Sequence, residues 1–429
     1  QAFLFKIFGI NWQSYIMHGS IINSIITVCT FKIFTDFKID KMYAFILSIC
    51  FSVLAYPVSG TPFLDLHSAY LSLIAFYLII AFVKNEDYIK LFAAIIMLGL
   101  AFFCKQVPAA YFIISAFLFI VYYSFYIRSI KPIIISLSAF FSFLGIILIY
   151  LFFTRTSLLD LIMQLFIFPT SFGAERYNDY TLNLNNVFLD FKFIFLTILV
   201  MSGIFIINLV KKNLENKKKE ISYYIILITF SLSLIFHQIY TKNQIFIFFI
   251  IPILSGFLLY FLRNNKNKYK KYFTTFIILF CIIITFKYHV RFNEMRKFHE
   301  LSNTNINHSI KVNFNNSFFK GLKWITPNFN NPKKELKIIE EFYLNISKRE
   351  DINMIISRYT FFSGLLDRST YAPSRTFDDI SYPRLNSKYY DNYNNFFRKN
   401  IINNKIDNIF IFNPGFKFTK SNLNDVIFN

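Results

Sequence analysis

Asp65 and His67 stand two residues apart at the mouth of a long apolar run, where ionisable side chains are costly to hold. A carboxylate and an imidazole in that place can move a proton, and beside cations they can hold a phosphate. The stretch before them, Tyr56-Pro-Val-Ser-Gly-Thr-Pro-Phe63, is broken by Pro57, Gly60 and Pro62. Those residues explain a turn but not the acid and base that follow it. Further polar side chains cluster at the ends of other apolar runs: Lys105, Gln106, Glu175, Arg176, His237, Gln238 and Lys242. We assign candidate catalytic roles to Asp65 and His67, and candidate substrate-binding roles to Lys105, Gln106, Glu175, Arg176, His237 and Lys242. The competing explanation is that these are ordinary residues of a membrane interface. It applies above all to Lys105 and Lys242, because lysine reaches toward headgroups from a helix end. His18 is expected on the same side as an interfacial residue. His289, His299 and His308 show no metal-ligand spacing.

Positioning such groups requires helices that cross in opposite directions, and the composition supplies them. The chain has 429 residues, 55% hydrophobic and 21% aromatic, with only 16% charged. A soluble domain carries about 25% charged residues. The apolar residues are gathered into blocks at 16–34, 42–56, 66–83, 89–104, 108–126, 132–153, 193–210, 222–240, 244–262 and 272–287. A membrane span needs roughly 20 apolar residues. The fold class that follows is a polytopic α-helical membrane protein of about ten spans, with 42–56 and 89–104 on the short side. Residues 1–15, which mix Phe, Leu and Ile with Lys6 and Trp12, suit a helix lying in the interface. Cys29, Cys50, Cys104 and Cys281 all fall in or beside apolar runs and read as small buried side chains. The formal net charge of +21 is carried largely by loops, and no base-reading motif accompanies it, so nucleic acid is not an expected partner.

The loops alternate in charge. One set holds Lys32, Lys38, Lys41, Lys84, Lys90, Arg128, Lys131, Lys211, Lys212, Lys217, Lys218, Lys219, Arg263, Lys266, Lys268, Lys270 and Lys271. The other holds only Lys105, Arg155, Arg176, Lys192 and Lys242. Positive charge stays on the cytoplasmic side, so the first set is expected there. The Asp65–His67 turn, Lys105, the 154–192 loop, the loop after His237 and everything after Phe286 then share the outer face. In the 154–192 loop, Leu158, Ile162 and Leu165 fall at helical spacing, which suits a helix on the outer leaflet or one packed on the bundle.

Composition changes after Lys287, so the expected organisation is a multi-span domain over 1–287 and a small α/β extramembrane domain over 288–429. In the latter, Pro332–Glu350 reads as a helix with Leu336, Ile339, Phe342 and Ile346 on one face. Asn353–Ser357 and Asn408–Phe412 read as buried strands, with a second helix over Tyr389–Asn403.

Three segments carry a family resemblance. Phe5-Lys-Ile-Phe-Gly9-Ile-Asn-Trp12 precedes a span, Gly99-Leu-Ala-Phe-Phe-Cys-Lys105 closes one, and Tyr240-Thr-Lys-Asn-Gln-Ile-Phe-Ile-Phe-Phe-Ile-Ile-Pro252 opens another. They resemble, in turn, the Leu-Phe-Gly helix end, the Gly-Leu-Ala-x-Leu-x-Lys motif and the Arg-Tyr…Pro pattern of the GT-C superfamily of membrane glycosyltransferases, near the bacterial relatives of protein O-mannosyltransferases. In the third segment Lys242 follows the tyrosine and no arginine stands beside it. The resemblance implies transfer of a sugar from a polyprenyl-phosphate donor to an acceptor on the outer side of the membrane. It also implies a bacterial inner membrane, with residues 288–429 in the periplasm. The family's catalytic carboxylate lies in a first outer loop that no residue here matches. That loop is expected to precede Gln1, along with an N-terminal span. Expected partners are the lipid bilayer, a polyprenyl-phosphate-linked sugar and an acceptor of unknown kind. The cofactor is left open, with a divalent cation among the options. Two other classes compete: a transporter or flippase of a lipid-linked substrate, and a non-catalytic membrane subunit of a cell-envelope assembly complex. The first predicts internal repeats and Gly/Pro-broken mid-span segments, and the prolines here lie at span ends instead.

Overall fold

Hydrocarbon offers no partner for backbone N–H and C=O groups, so an apolar run placed there forms a helix. The computed structural model describes residues 2–9, 12–55, 64–169, 185–211, 216–241, 247–263, 269–295, 304–312, 322–326, 331–357, 359, 361–366, 368, 370–372 and 388–412. Its helices are α1 (Ala2–Phe8), α2 (Trp12–Asp36), α3 (Lys41–Ala55), α4 (Leu64–Asn85), α5 (Tyr88–Cys104), α6 (Gln106–Ile127) and α7 (Lys131–Thr154). They continue as α8 (Leu158–Ile162), α9 (Lys192–Val210), α10 (Lys217–Thr241), α11 (Ile250–Leu262) and α12 (Lys270–Met295). Among the described residues, seven helices are long and apolar enough to cross a membrane: within α2, α4, α6, α7, α9, α10 and α12. The remaining three expected spans form shorter helices, α3, α5 and α11, of 15, 17 and 13 residues. The protein is thus a helical membrane protein with little sheet.

The described chain divides into two compact units. One comprises Gln1–Ile7, Gln13–Ile147 and Thr181–His299; the other comprises Phe8–Trp12, Leu148–Tyr180 and Glu300–Asn429.

In the first unit, α11 is buried at every position, from Ile250 to Leu262. A helix apolar all round belongs inside protein. Its short length follows, since a helix surrounded by others need not match the bilayer thickness. Gly256 of α11 leaves room for the Phe34 side chain of α2. A Cβ there would lie within the van der Waals shell of the Phe34 ring, which is itself fully buried. Small residues let helix backbones approach in this way. Gly256→Ala is therefore expected to destabilise the bundle by about 1–3 kcal/mol, as overpacking does. Gly203→Ala, where nothing lies within 4 Å of the new methyl, is expected to be neutral or stabilising. Thermal unfolding of both variants in detergent checks the pair, and equal melting temperatures would contradict it.

The second unit is built on two parallel strands, β3 (Asn353–Ile356) and β4 (Asn408–Ile411), paired Asn353↔Asn408 through Ile356↔Ile411. A shorter antiparallel pair, β1 (Ile310–Lys311) and β2 (Lys323–Trp324), accompanies them. Three helices follow in chain order: α13 (Pro332–Ser347), α14 (Phe362–Leu365) and α15 (Tyr390–Asn403). Asn331 caps α13, its side chain accepting from Lys333 N, with Pro332 opening the first turn. Successive side chains of β3 point to opposite faces. Ile355 packs with Leu336, Ile339 and Ile346 of α13 and with Phe412. Met354 and Ile356 pack with Tyr390, Tyr393 and Phe397 of α15. Met163 and Phe168 join this second cluster. The segment around α8 therefore buries apolar side chains against strand β3 and helix α15, where helical spacing had suggested the outer leaflet or the membrane bundle.

Candidate functional site

All the described groups of the candidate site lie in the first unit, at the ends of α2, α4, α5, α6 and α10. Asp65 occupies the first turn of α4, where the exposed N–H groups of a helix favour a carboxylate. Lys105 occupies the break between α5 and α6, with extended backbone at φ −158° and ψ 128°. Pro108 lacks an N–H, and a residue preceding proline avoids helical angles. Val107 accordingly stays extended, at φ −116° and ψ 124°. The break frees the Lys105 carbonyl to accept from Ser68 Oγ at 3.1 Å. It also brings the Lys105 ammonium to Asp65 Oδ1 at 2.5 Å. Asp65 is 14% exposed and Lys105 44% exposed, so the pair is half in contact with solvent.

Three imidazoles accompany the ion pair. His67 stacks on His18 of α2, with ring centroids 4.8 Å apart and planes 10° from parallel. His237, near the C-terminal end of α10, is 2% exposed and lies within electrostatic reach of both Asp65 and Lys105. Its ring is 6.2 Å from that of Tyr111. The next residue, Gln238, is fully buried, and neither atom of its amide has a hydrogen-bond partner among the described residues.

Asp65, His67, Lys105 and His237 thus come together as candidate groups. Gln106 follows Lys105 directly and is half-buried. Glu175, Arg176 and Lys242 lie outside the described residues. His18 is the residue that the sequence reading undervalued. Its position at the same helix end as His67 was legible, but the stacking of the two rings was not. Among the described residues no group of three or more His, Cys, Asp or Glu side chains is arranged to hold a metal ion. A fixed ammonium beside a carboxylate and neutral-capable imidazoles can attract a phosphate and exchange a proton with a neighbouring hydroxyl. No family model, no curated protein and no solved structure matches this chain.

Proposed function

We propose that this protein is a membrane glycosyltransferase that moves a sugar from a polyprenyl-phosphate donor to an acceptor hydroxyl on the outer face of the membrane. The observation that carries the reading is the Lys105–Asp65 ion pair beside His67 and His237, at one end of a lipid-facing bundle. A polyprenyl phosphate is apolar along its chain and anionic at its head. A bundle with exposed apolar flanks and a cation at the helix ends matches both parts.

In this account the acceptor oxygen attacks the anomeric carbon of the donor sugar. The bond from that carbon to the phosphate oxygen breaks, and the electron pair leaves with the phosphate. Lys105 stabilises the charge that develops there. Asp65 is a positioning residue, holding the ammonium at the break between α5 and α6. His67, two residues along the same helix turn, takes the proton of the acceptor hydroxyl. The resemblance to GT-C enzymes supports the reaction class alone, and the charge asymmetry of the loops supports the outer-face orientation; the roles of Lys105, Asp65 and His67 rest on their own chemistry and placement. The reading extends to ten spans, with α3, α5 and α11 completing the set. Residues 288–429 then form a periplasmic α/β domain of a bacterial inner-membrane protein.

The test is incubation of the purified full-length protein with a polyprenyl-phosphate sugar labelled in the sugar. The account expects release of free polyprenyl phosphate in proportion to label transferred to an acceptor or to water. Movement of the intact donor across the bilayer without cleavage would replace this reading with a flippase. The absence of both would leave a non-catalytic subunit.

A further inference from the structure

Gln238, near the C-terminal end of α10, is fully buried, and neither its Oε1 nor its Nε2 meets a hydrogen-bond partner among the described residues. An amide taken out of water in this way costs free energy at both of its ends. Hydroxyls elsewhere on the same helix carry no such cost. Ser222 Oγ donates to the Lys218 carbonyl at 3.0 Å and Ser231 Oγ to the Leu227 carbonyl at 2.8 Å, while Ser233 Oγ meets Ser115 Oγ at 2.8 Å. A buried polar group left unpaired on a helix that pairs its others calls for a cause. Such local violations gather where a ligand completes the fold.

The register of α10 against α6 places this amide beside the candidate site. Ser233 of α10 stands against Ser115 of α6, and one turn further the His237 ring lies 6.2 Å from the Tyr111 ring. Lys105 comes six residues before Tyr111, a distance on the order of 10 Å at helical rise. There its ammonium meets Asp65 Oδ1 at 2.5 Å. A phosphate at Lys105 would extend its sugar over a comparable length.

The amide narrows the ligand further. Its oxygen accepts and its nitrogen donates. An ionised phosphate only accepts, so it would leave Oε1 buried and unpaired. A hydroxyl both donates and accepts, and two neighbouring hydroxyls of a sugar ring satisfy both ends of the amide together.

We propose that Gln238 binds a pair of neighbouring hydroxyls on the sugar of the lipid-linked donor and is the residue by which this site selects a sugar. The proposal rests on the transferase reading and deepens it: Lys105 takes the phosphate, and Gln238 takes the ring beyond it. Solvent does not reach the amide, so water does not compete once the sugar has entered. A ligand without those hydroxyls is rejected because both ends of the amide stay unpaired.

The experiment takes two readings on the full-length protein in detergent. The first is thermal unfolding without ligand. Gln238→Met removes the unpaired amide at nearly constant volume, so it is expected to melt about 2–4 °C above the wild type. Without that rise the proposal is overturned, because the amide then has a structural partner. The second is displacement of radiolabelled polyprenyl phosphate by unlabelled polyprenyl phosphate, polyprenyl-phosphate mannose and polyprenyl-phosphate glucose. The wild type is expected to bind the better of the two sugar lipids at least about tenfold more tightly than polyprenyl phosphate. Gln238→Met is expected to lose that preference while binding polyprenyl phosphate as the wild type does. No preference in the wild type, or one that survives in Gln238→Met, overturns the assignment and leaves the transferase reading standing. Failure of polyprenyl phosphate itself to bind overturns both.

Discussion

Lys105→Met is expected to lower sugar transfer by about 10²–10³-fold, the range found when one charge-stabilising donor is removed from a reacting centre. Folding should change far less than the rate. Lys105 is 44% exposed but Asp65 only 14%, with its Oδ1 buried, so loss of the ammonium is expected to cost about 1–3 kcal/mol, between an exposed and a buried ion pair. A loss of rate that outweighs the change in melting temperature is therefore the signature of a working cation, and a structural salt bridge would move both modestly. Asp65→Asn should follow the same pattern with a smaller loss, because the ammonium remains but is no longer held. Asp65→Glu, which keeps the charge at a longer reach, should recover part of the activity. His67→Ala should abolish transfer if this imidazole takes the acceptor proton, with His67→Gln no better. Full activity in Asp65→Asn and His67→Ala together would remove both residues from the mechanism.

Glu335→Ala is the substitution expected to damage the second unit most. Glu335 lies in the first turn of α13 and is fully buried. Its Oε2 accepts from Trp324 Nε1 at 2.7 Å and from Thr326 Oγ1 at 2.9 Å, and its Oε1 accepts from Tyr359 Oη at 2.6 Å. The donors come from two segments, 322–326 and Tyr359, and a carboxylate buried among them is held by hydrogen bonds and by the positive end of the helix. Alanine leaves all three donors without an acceptor, a loss of about 3–5 kcal/mol. Glu335→Gln keeps the shape and one good acceptor, so about 1–2 kcal/mol is expected. The chain has two tryptophans, Trp12 and Trp324. In a Trp12→Phe background, denaturant unfolding followed by Trp324 fluorescence reads this network directly. Unchanged midpoints for Glu335→Ala would contradict it. Burial, and then the bond to Glu335, push the Tyr359 phenol above its ordinary range. A group with a raised folded value contributes stability below its unfolded value and loses it as pH climbs. The network should therefore stay intact through neutral pH and weaken only in strongly alkaline solution.

Particular residues show what the sequence made legible. The second unit was read well at the level of elements, because α13 and the β3–β4 pair have the periods that such elements require. The helix expected over Pro332–Glu350 runs Pro332–Ser347, and the strand expected over Asn353–Ser357 runs Asn353–Ile356. The role of Glu335 was not legible, since an acid in the first turn of an amphipathic helix looks like a solvated residue. Only the folding of Trp324, Thr326 and Tyr359 around it reveals otherwise. The apolar block 244–262 was read as a span, and its described part forms the wholly buried, 13-residue α11. Hydropathy cannot separate protein surroundings from lipid when every side of a helix is apolar. At the candidate site, the gathering of Asp65, His67, Lys105 and His237 followed from counting crossings and placing polar residues at helix ends. The partner of Asp65 did not follow, because the break at Lys105 depends on how α5 meets α6.

The account rests on the claim that the Lys105 end of the bundle holds a lipid phosphate. Native mass spectrometry of the full-length protein with polyprenyl phosphate, compared with the same polyprenol lacking phosphate, tests this without requiring turnover. The account predicts a one-to-one complex with polyprenyl phosphate and little with polyprenol, and a complex at least about tenfold weaker in Lys105→Met. Equal binding of both lipids, or undiminished binding of the phosphate by Lys105→Met, would contradict it.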